Sequence, residues 1–437
     1  MHQITMKHLL LSFAATISIQ LITMAQGVLS ARWLLPEGKG ELTTAMLWPS
    51  LLVALGCLGI QDAVAFAAAN SSDTDFRRIV ASGLVITLSM TVVLVGAGYV
   101  LLPFILSGHN AELVSISQLY LWYIPPTMAT FCLVGILLGK MQMVQVNVLR
   151  VSVYVVILVL MVLFYWTGRV SVRNFTGAFL VSSWVSFLLA VTFVMKCGWI
   201  GFRSSLDTMK RLLGYGVRVH IGSIAGMLNL RLDQLLLSVF LPASSLGLYV
   251  VAVTIGSGAS LAASTIAYWV AFPILSNLPS GFLKTQILGR FMRLVLSATL
   301  LSALILFVSV PWLIRIFFGV TYGESADMAR ILIVAAIPWS CGAVFAVGFR
   351  AYNLPEIASG SEIVGLVVTA LALLILLPKF GALGAAWASL LAYSATFLYM
   401  LVQSRQRMEV QMDGLFLPSW DDWYYLKDLL LNIGRRG

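Results

Sequence analysis

Asn229-Leu230-Arg231-Leu232-Asp233-Gln234 is a polar cluster inside the otherwise apolar run 215–241. That run is long enough to cross a bilayer, which takes about 20 apolar residues in a helix. A charge at the centre of a membrane helix costs about 2.5–3.5 kcal/mol on insertion scales. Arg231 and Asp233 are therefore expected to face a partner or a wet cavity. The cluster points to a hydrophilic pathway through a membrane bundle.

Similar apolar runs recur on both sides of it. The chain is 60% hydrophobic and 10% charged, with a mean hydropathy of +0.96. A soluble domain carries about 25% charged residues. Twelve spans are expected, near 7–33, 42–68, 79–106, 114–139, 149–167, 175–197, 215–241, 246–272, 291–318, 328–352, 357–377 and 382–403. The first is too apolar and too long for the core of a cleaved signal and is expected to stay in the membrane. With the N-terminus inside, nineteen Lys and Arg lie on the inner side and six on the outer, with Arg231 and Arg330 within spans. The positive-inside rule then places both termini in the cytoplasm. The net charge of +10 is mostly this inner collar, which suits anionic membrane lipids and not nucleic acid.

Cys57, Cys132, Cys197 and Cys341 are scattered, with no C-x-x-C pair, and read as packing residues. His2, His8, His109 and His220 show no metal-ligand spacing. No metal or cofactor is expected.

The basic break 198–214 divides the spans into two sets of six, giving lobes 1–199 and 200–403 and a tail 404–437. Residues 204–213 suit a short amphipathic helix on the cytoplasmic side. The halves look like repeats. Pro36 and Pro242 are 206 apart, Gly40 and Gly247 are 207 apart, Gly177 and Gly384 are 207 apart, and Pro103 and Pro311 are 208 apart. Both halves hold an even number of spans, so the repeat is parallel, with its pseudo-twofold along the membrane normal. In the tail, Trp420-Asp421-Asp422-Trp423-Tyr424-Tyr425 suits either an interfacial helix or an ordinary cytoplasmic tail.

Several segments resemble the bacterial polysaccharide (oligosaccharidyl-lipid) flippases, within the superfamily that also holds the multidrug exporters. They are Leu34-Leu35-Pro36-Glu37-Gly38-Lys39-Gly40-Glu41-Leu42, Tyr215-Gly216-Val217-Arg218-Val219-His220-Ile221-Gly222-Ser223, the cluster itself, Leu246-Gly247-Leu248-Tyr249 with Ala252, and Gly381-Ala382-Leu383-Gly384-Ala385-Ala386-Trp387-Ala388. The resemblance implies an all-α integral membrane protein of two pseudo-symmetric six-helix lobes around a central cavity, in the bacterial inner membrane. It also implies translocation of a polyprenyl-diphosphate-linked glycan from the cytoplasmic to the periplasmic leaflet. Glycosyltransferases and a glycan polymerase are the implied neighbours.

Such cargo needs cationic groups for its diphosphate, and Arg binds phosphate as a bidentate fork. No bond is made or broken, so no nucleophile is needed and no enzyme is expected. Arg231 is the first candidate for the anion site, with Asn229 and Gln234 beside it; the alternative is a buried ion pair. On one continuous helix Asp233 shares a face with Asn229, and Gln234 with Arg231. Either Arg231 faces the cavity and Asp233 binds a neighbouring helix, or the reverse. Asp233 is read as an H⁺ or Na⁺ coupling site, or as a structural partner to an Arg or a helix-end donor. Arg218, Asp62, Arg150, Arg350 and Glu362 lie near inner ends of spans, at an inward mouth or in the ordinary basic collar. Gln20 and Gln26 suit helix–helix glue. Pro125, Pro126 and Pro338 are expected to kink their helices.

An ion-coupled multidrug or metabolite exporter of the same fold is the alternative function. Residues 7–33 hold no Asp or Glu, which argues against it. A membrane glycan polymerase or ligase is a third possibility, disfavoured by short outer loops with few paired acids.

Overall fold

Inside a bilayer every backbone N–H and C=O must find an internal partner, and an apolar chain with this periodic spacing meets that demand as helices. The computed structural model describes residues 6–71, 73–197, 199, 203–261, 265–279, 281–408 and 415–416. Among these there is no strand. In chain order the helices are α1 (Met6–Gly56), α2 (Ile60–Ala69), α3 (Asp73–Ile105), α4 (Ala111–Tyr120), α5 (Ile124–Gly139), α6 (Met143–Trp166) and α7 (Val172–Lys196). They continue with α8 (Leu206–Asn229), α9 (Leu232–Phe240), α10 (Ala243–Gly258), α11 (Phe272–Ser276), α12 (Phe282–Leu313), α13 (Ser325–Ala351) and α14 (Pro355–Arg407).

Eight helices among the described residues are long and apolar enough to cross a membrane. Two of them are double. Leu35, at φ 62° and ψ 175°, breaks α1 just before Pro36, and Gly381, at φ 57° and ψ −137°, breaks α14. These rods cover the first, eleventh and twelfth expected spans, and the second is shared between the end of α1 and α2. The seventh span is α8 plus α9, and the eighth starts as α10. The chain is thus an all-α membrane protein with about twelve spans.

Local chemistry explains the interruptions. Span four pauses in a 3₁₀ turn, Leu121–Tyr123, just before Pro125 and Pro126, which cannot donate backbone N–H groups. Pro311 precedes a π-helical stretch, Ile314–Phe318. Residues 204–213 are not a separate amphipathic helix. Helix α8 runs unbroken from Leu206 to Asn229, because Thr208 and Leu212 are already buried on its inner face while Lys210 and Arg211 point out. The aromatic tail segment 420–425 lies outside the described residues, as do residues 198 and 200–202 of the break 198–214.

Two compact units make up the chain. One comprises Met1–Ile224 with Ser238–Gly247, the other Ala225–Leu237 with Leu248–Gly437. The first is built on Ile60, Val64, Val80, Cys132, Ile136 and Leu137, all nearly inaccessible. Its α2 and α5 touch backbone to backbone. A Cβ on Gly135 would sit 2.6 Å from the Gln61 carbonyl oxygen, and one on Gly139 would sit 2.6 Å from that of Ala65. This Gly-x-x-x-Gly face replaces the hydrophobic drive that lipid cannot supply with close van der Waals contact. Both ends of span seven pack onto this unit. At one end, a Cβ on Gly216 would collide with the Leu58 carbonyl, and one on Gly59 with the Gly216 carbonyl. At the other, Trp48 Nε1 donates to Ser238 Oγ at 3.1 Å and His109 Nε2 lies 2.6 Å from the Ser238 carbonyl oxygen. The second unit centres on Phe291, Met292, Val344, Phe345, Phe349 and Met400.

Candidate functional site

The polar cluster lies where span seven breaks. The Leu230 N–H still reaches the Gly226 carbonyl at 3.2 Å, but the Arg231 N–H turns to Leu228 at 3.0 Å, one residue short of an α-helical bond. A new helix, α9, starts at Leu232. The continuous helix assumed from the sequence is thus corrected: Arg231 sits in a turn, and Asn229 and Asp233 lie on separate helices.

The break places Asp233 in the first turn of α9, where the positive end of the helix dipole favours a carboxylate. Its Oδ1 accepts the Gln234 N–H at 2.7 Å. Its Oδ2 accepts the Tyr249 hydroxyl of α10 at 2.6 Å. Tyr249 is fully buried, and its hydroxyl also lies 3.4 Å from Ser389 Oγ. Of the partners the sequence allowed, Asp233 takes a helix-end donor; among the described residues it forms no ion pair with an arginine, and the tyrosine was not anticipated. Arg231 is exposed, and its Nη1 donates to Gln234 Oε1 at 3.3 Å. Charge and counter-charge are thus divided, the carboxylate inward and the guanidinium outward.

One turn earlier, buried Asn229 bridges two helices. Its Nδ2 faces Glu362 Oε2 at 3.4 Å, and its Oδ1 accepts from Thr369 Oγ1 at 2.9 Å. Gly365 makes room for it: a Cβ there would sit 2.7 Å from both Asn229 Nδ2 and Thr396 Oγ1. Asn229, Trp339, Arg350, Glu362, Tyr393 and Thr396 line one cavity of about 180 Å³ within the second unit. So Asn229 and Arg350, 121 positions apart, share a wall.

Arg218 lies in the first unit, in a separate cavity of about 620 Å³ formed by residues of α2, α3 and α8. Its Nε donates to the Gly214 carbonyl at 2.9 Å, which folds the side chain back along the helix. Asp62, in the first turn of α2, and Arg150, on α6, are exposed and line neither cavity. Gln26 is glue: its Nε2 donates to the Tyr154 carbonyl at 2.6 Å, tying α1 to α6. Among the described residues no three His, Cys, Asp or Glu converge as a metal site would need.

Sequence reasoning missed Tyr249 and Thr369. Tyr249 stood inside a quoted segment, but nothing in its spacing from Asp233 marks it as a partner across a corner. Thr369 is one unremarkable hydroxyl in a greasy span.

Solved structures share the fold. The chain is similar to a structure of the lipid II flippase MurJ in an inward closed conformation, with a TM-score of 0.74, 14% identity, and coverage of 97% of this chain and 96% of that one. It is also similar to an inward-facing multidrug resistance MATE family transporter of the MOP superfamily, with a TM-score of 0.71, 15% identity, and coverage of 90% and 94%. The Vibrio cholerae MATE transporter VcmN is a third, with a TM-score of 0.58, 14% identity, and coverage of 92% and 99%. At these identities the likeness establishes the fold alone. No curated protein matches the chain at a significant level. The model of one family, described as polysaccharide biosynthesis protein, matches residues 6–278, more than half of the sequence. Because that match covers more than half of the sequence, the chain belongs to the polysaccharide biosynthesis protein family.

Proposed function

We propose that this chain is a flippase that carries a polyprenyl-diphosphate-linked oligosaccharide, an O-antigen, capsule or exopolysaccharide unit, from the cytoplasmic to the periplasmic leaflet by alternating access. Family membership carries this reading: a polysaccharide biosynthesis protein with a transporter fold has a sugar cargo and a membrane to move it across. The exposed guanidinium of Arg231 supports it, since a diphosphate in hydrocarbon needs such a donor. Asn229, Gln234, Arg218, Asp62, Arg150 and Arg350 are the proposed further contacts along the path. The lipid tail trails in the bilayer. The lobes 1–199 and 200–403 supply the two walls, with the tail 404–437 and the N-terminus in the cytoplasm of a bacterial inner membrane. Asp233 either carries a coupling H⁺ or Na⁺ or holds the α9–α10 corner; its short bond to Tyr249 favours the corner.

A strain lacking the chain tests the proposal. Lipid-linked glycan should accumulate on the cytoplasmic leaflet while its synthesis continues. Normal surface glycan together with new drug sensitivity would overturn it in favour of a multidrug exporter.

A further inference from the structure

We propose that the cavity formed by α2, α3 and the first half of α8 is a binding site for the phosphate of a membrane lipid. It lies wholly within the first unit and shares Arg218 with the cargo path proposed above.

The ligand's chemistry follows from the lining. Lys210, Arg211 and Arg218 bring three cations to the cavity, against one carboxylate, Asp75. Asp75 already lies 3.8 Å from Arg78. Among the described residues none of the three cations forms an ion pair. Arg211 and Arg218 are seven residues apart, two helical turns, and so lie about 10 Å apart along one stripe of α8. Tyr215 stands between them on that stripe. The Arg218 side chain folds back toward it over Gly214. The Tyr215 ring stacks on Phe66 of α2, centroids 4.7 Å apart and planes 8° from parallel.

Cations flanking an aromatic shelf suit a phosphate whose attached group lies against the rings. The volume, about 620 Å³, falls within the roughly 300–1,000 Å³ of small-molecule sites. Phe66 is 55% exposed and gives the cavity an apolar rim, where an acyl or prenyl chain can leave toward the bilayer. A soluble phosphate has nothing to place there. Helices α2, α3 and α8 present this cavity at the end of the unit that also carries Arg77 and Lys140, where the positive-inside rule puts the anionic leaflet.

The test uses the full-length protein in nanodiscs of phosphatidylcholine, with and without phosphatidylglycerol, and native mass spectrometry of the lipids it retains. The wild type should retain phosphatidylglycerol preferentially. Each cation removed should weaken retention about fivefold, so the triple variant Lys210→Gln/Arg211→Gln/Arg218→Gln should lose the preference. Arg211→Lys/Arg218→Lys keeps the charge without the fork and should fall between. A short-chain polyprenyl diphosphate added to the wild type identifies the source. Displacement of phosphatidylglycerol means that the pocket also receives the cargo's diphosphate; retention means a site for bulk phospholipid. A triple variant with an unchanged melting temperature that retains phosphatidylglycerol as the wild type does would overturn the proposal. So would inorganic phosphate competing as well as the lipids.

Discussion

Gly40 lies against the backbone at Ala243, and Gly247 lies against the backbone at Pro36. A Cβ on Gly40 would collide with the Ala243 carbonyl, and a Cβ on Gly247 with the Pro36 carbonyl. Gly40 precedes Gly247 by 207 positions, and Pro36 precedes Ala243 by the same 207. The contact is therefore reciprocal, as in an isologous dimer interface. Neither position can take a methyl group unless the corners separate. Gly40→Ala and Gly247→Ala should each lower the melting temperature in detergent. The double variant should lose less than the sum, because both substitutions open one contact, with a coupling of about 0.5–3 kcal/mol. Additive losses would show that the corners act independently.

Tyr249→Phe removes a hydrogen bond from the Asp233 carboxylate, at a buried site. A hydrogen bond to a charged group contributes about 1.5–3 kcal/mol. Denaturation of the purified protein should show a loss of that size. If Asp233 is a corner fastener, Asp233→Asn should also destabilise. If it carries a coupling proton, Asp233→Asn should keep its stability, and transport should lose its dependence on the pH gradient.

Arg231 is exposed and its hydrogen bond to Gln234 is long, so Arg231→Ala should insert and melt as the wild type does. Surface polysaccharide should nevertheless be lost. Arg231→Lys should restore it only in part, since an ammonium lacks the bidentate fork. Normal glycan display by Arg231→Ala at normal expression would remove Arg231 from the cargo path.

Gly135→Val and Gly139→Val should push α5 from α2, because the facing atoms are the Gln61 and Ala65 carbonyls and cannot rotate aside. Overpacking of this kind costs about 1–3 kcal/mol, readable as a lower melting temperature. Surface variants such as Leu88→Ala, on the exposed flank of α3, should leave it unchanged.

Reporter fusions after Arg405 and within 204–210 should report the cytoplasm, and one near Asn110 the periplasm. Reversal at 204–210 alone would break the six-plus-six arrangement of spans.

The legible part of this chain was what composition and repetition record. Long apolar runs located the spans, and the Pro-Pro pair at 125–126 located a bend that the 3₁₀ turn realises. The 207-residue spacing of Gly40 and Gly247 also separates Pro36 from Ala243, the two residues whose carbonyls they face. The break at Leu230-Arg231 was not legible, since neither Gly nor Pro marks it and the flanking leucines read as uninterrupted helix. Pairings across the sequence were hidden too. Asn229 meets Glu362 and Thr369 more than 130 positions away, and Asp233 chooses one of 14 tyrosines. Gly135 and Gly139 were masked by the greasy residues around them, because in a membrane the small residues make the tight contact and the large ones face outward.

Span seven changes allegiance twice: residues up to Ile224 and from Ser238 to Gly247 belong to one compact unit, and the residues between them to the other. During synthesis, the first six spans alone therefore lack part of their own unit. Until Ser238 emerges, Trp48 Nε1 and the His109 ring have no span-seven partner, and until Gly247 emerges the Pro36 carbonyl lacks its backbone neighbour. The two bodies are interleaved in assembly, and the first to be translated is completed only after part of the second has been made.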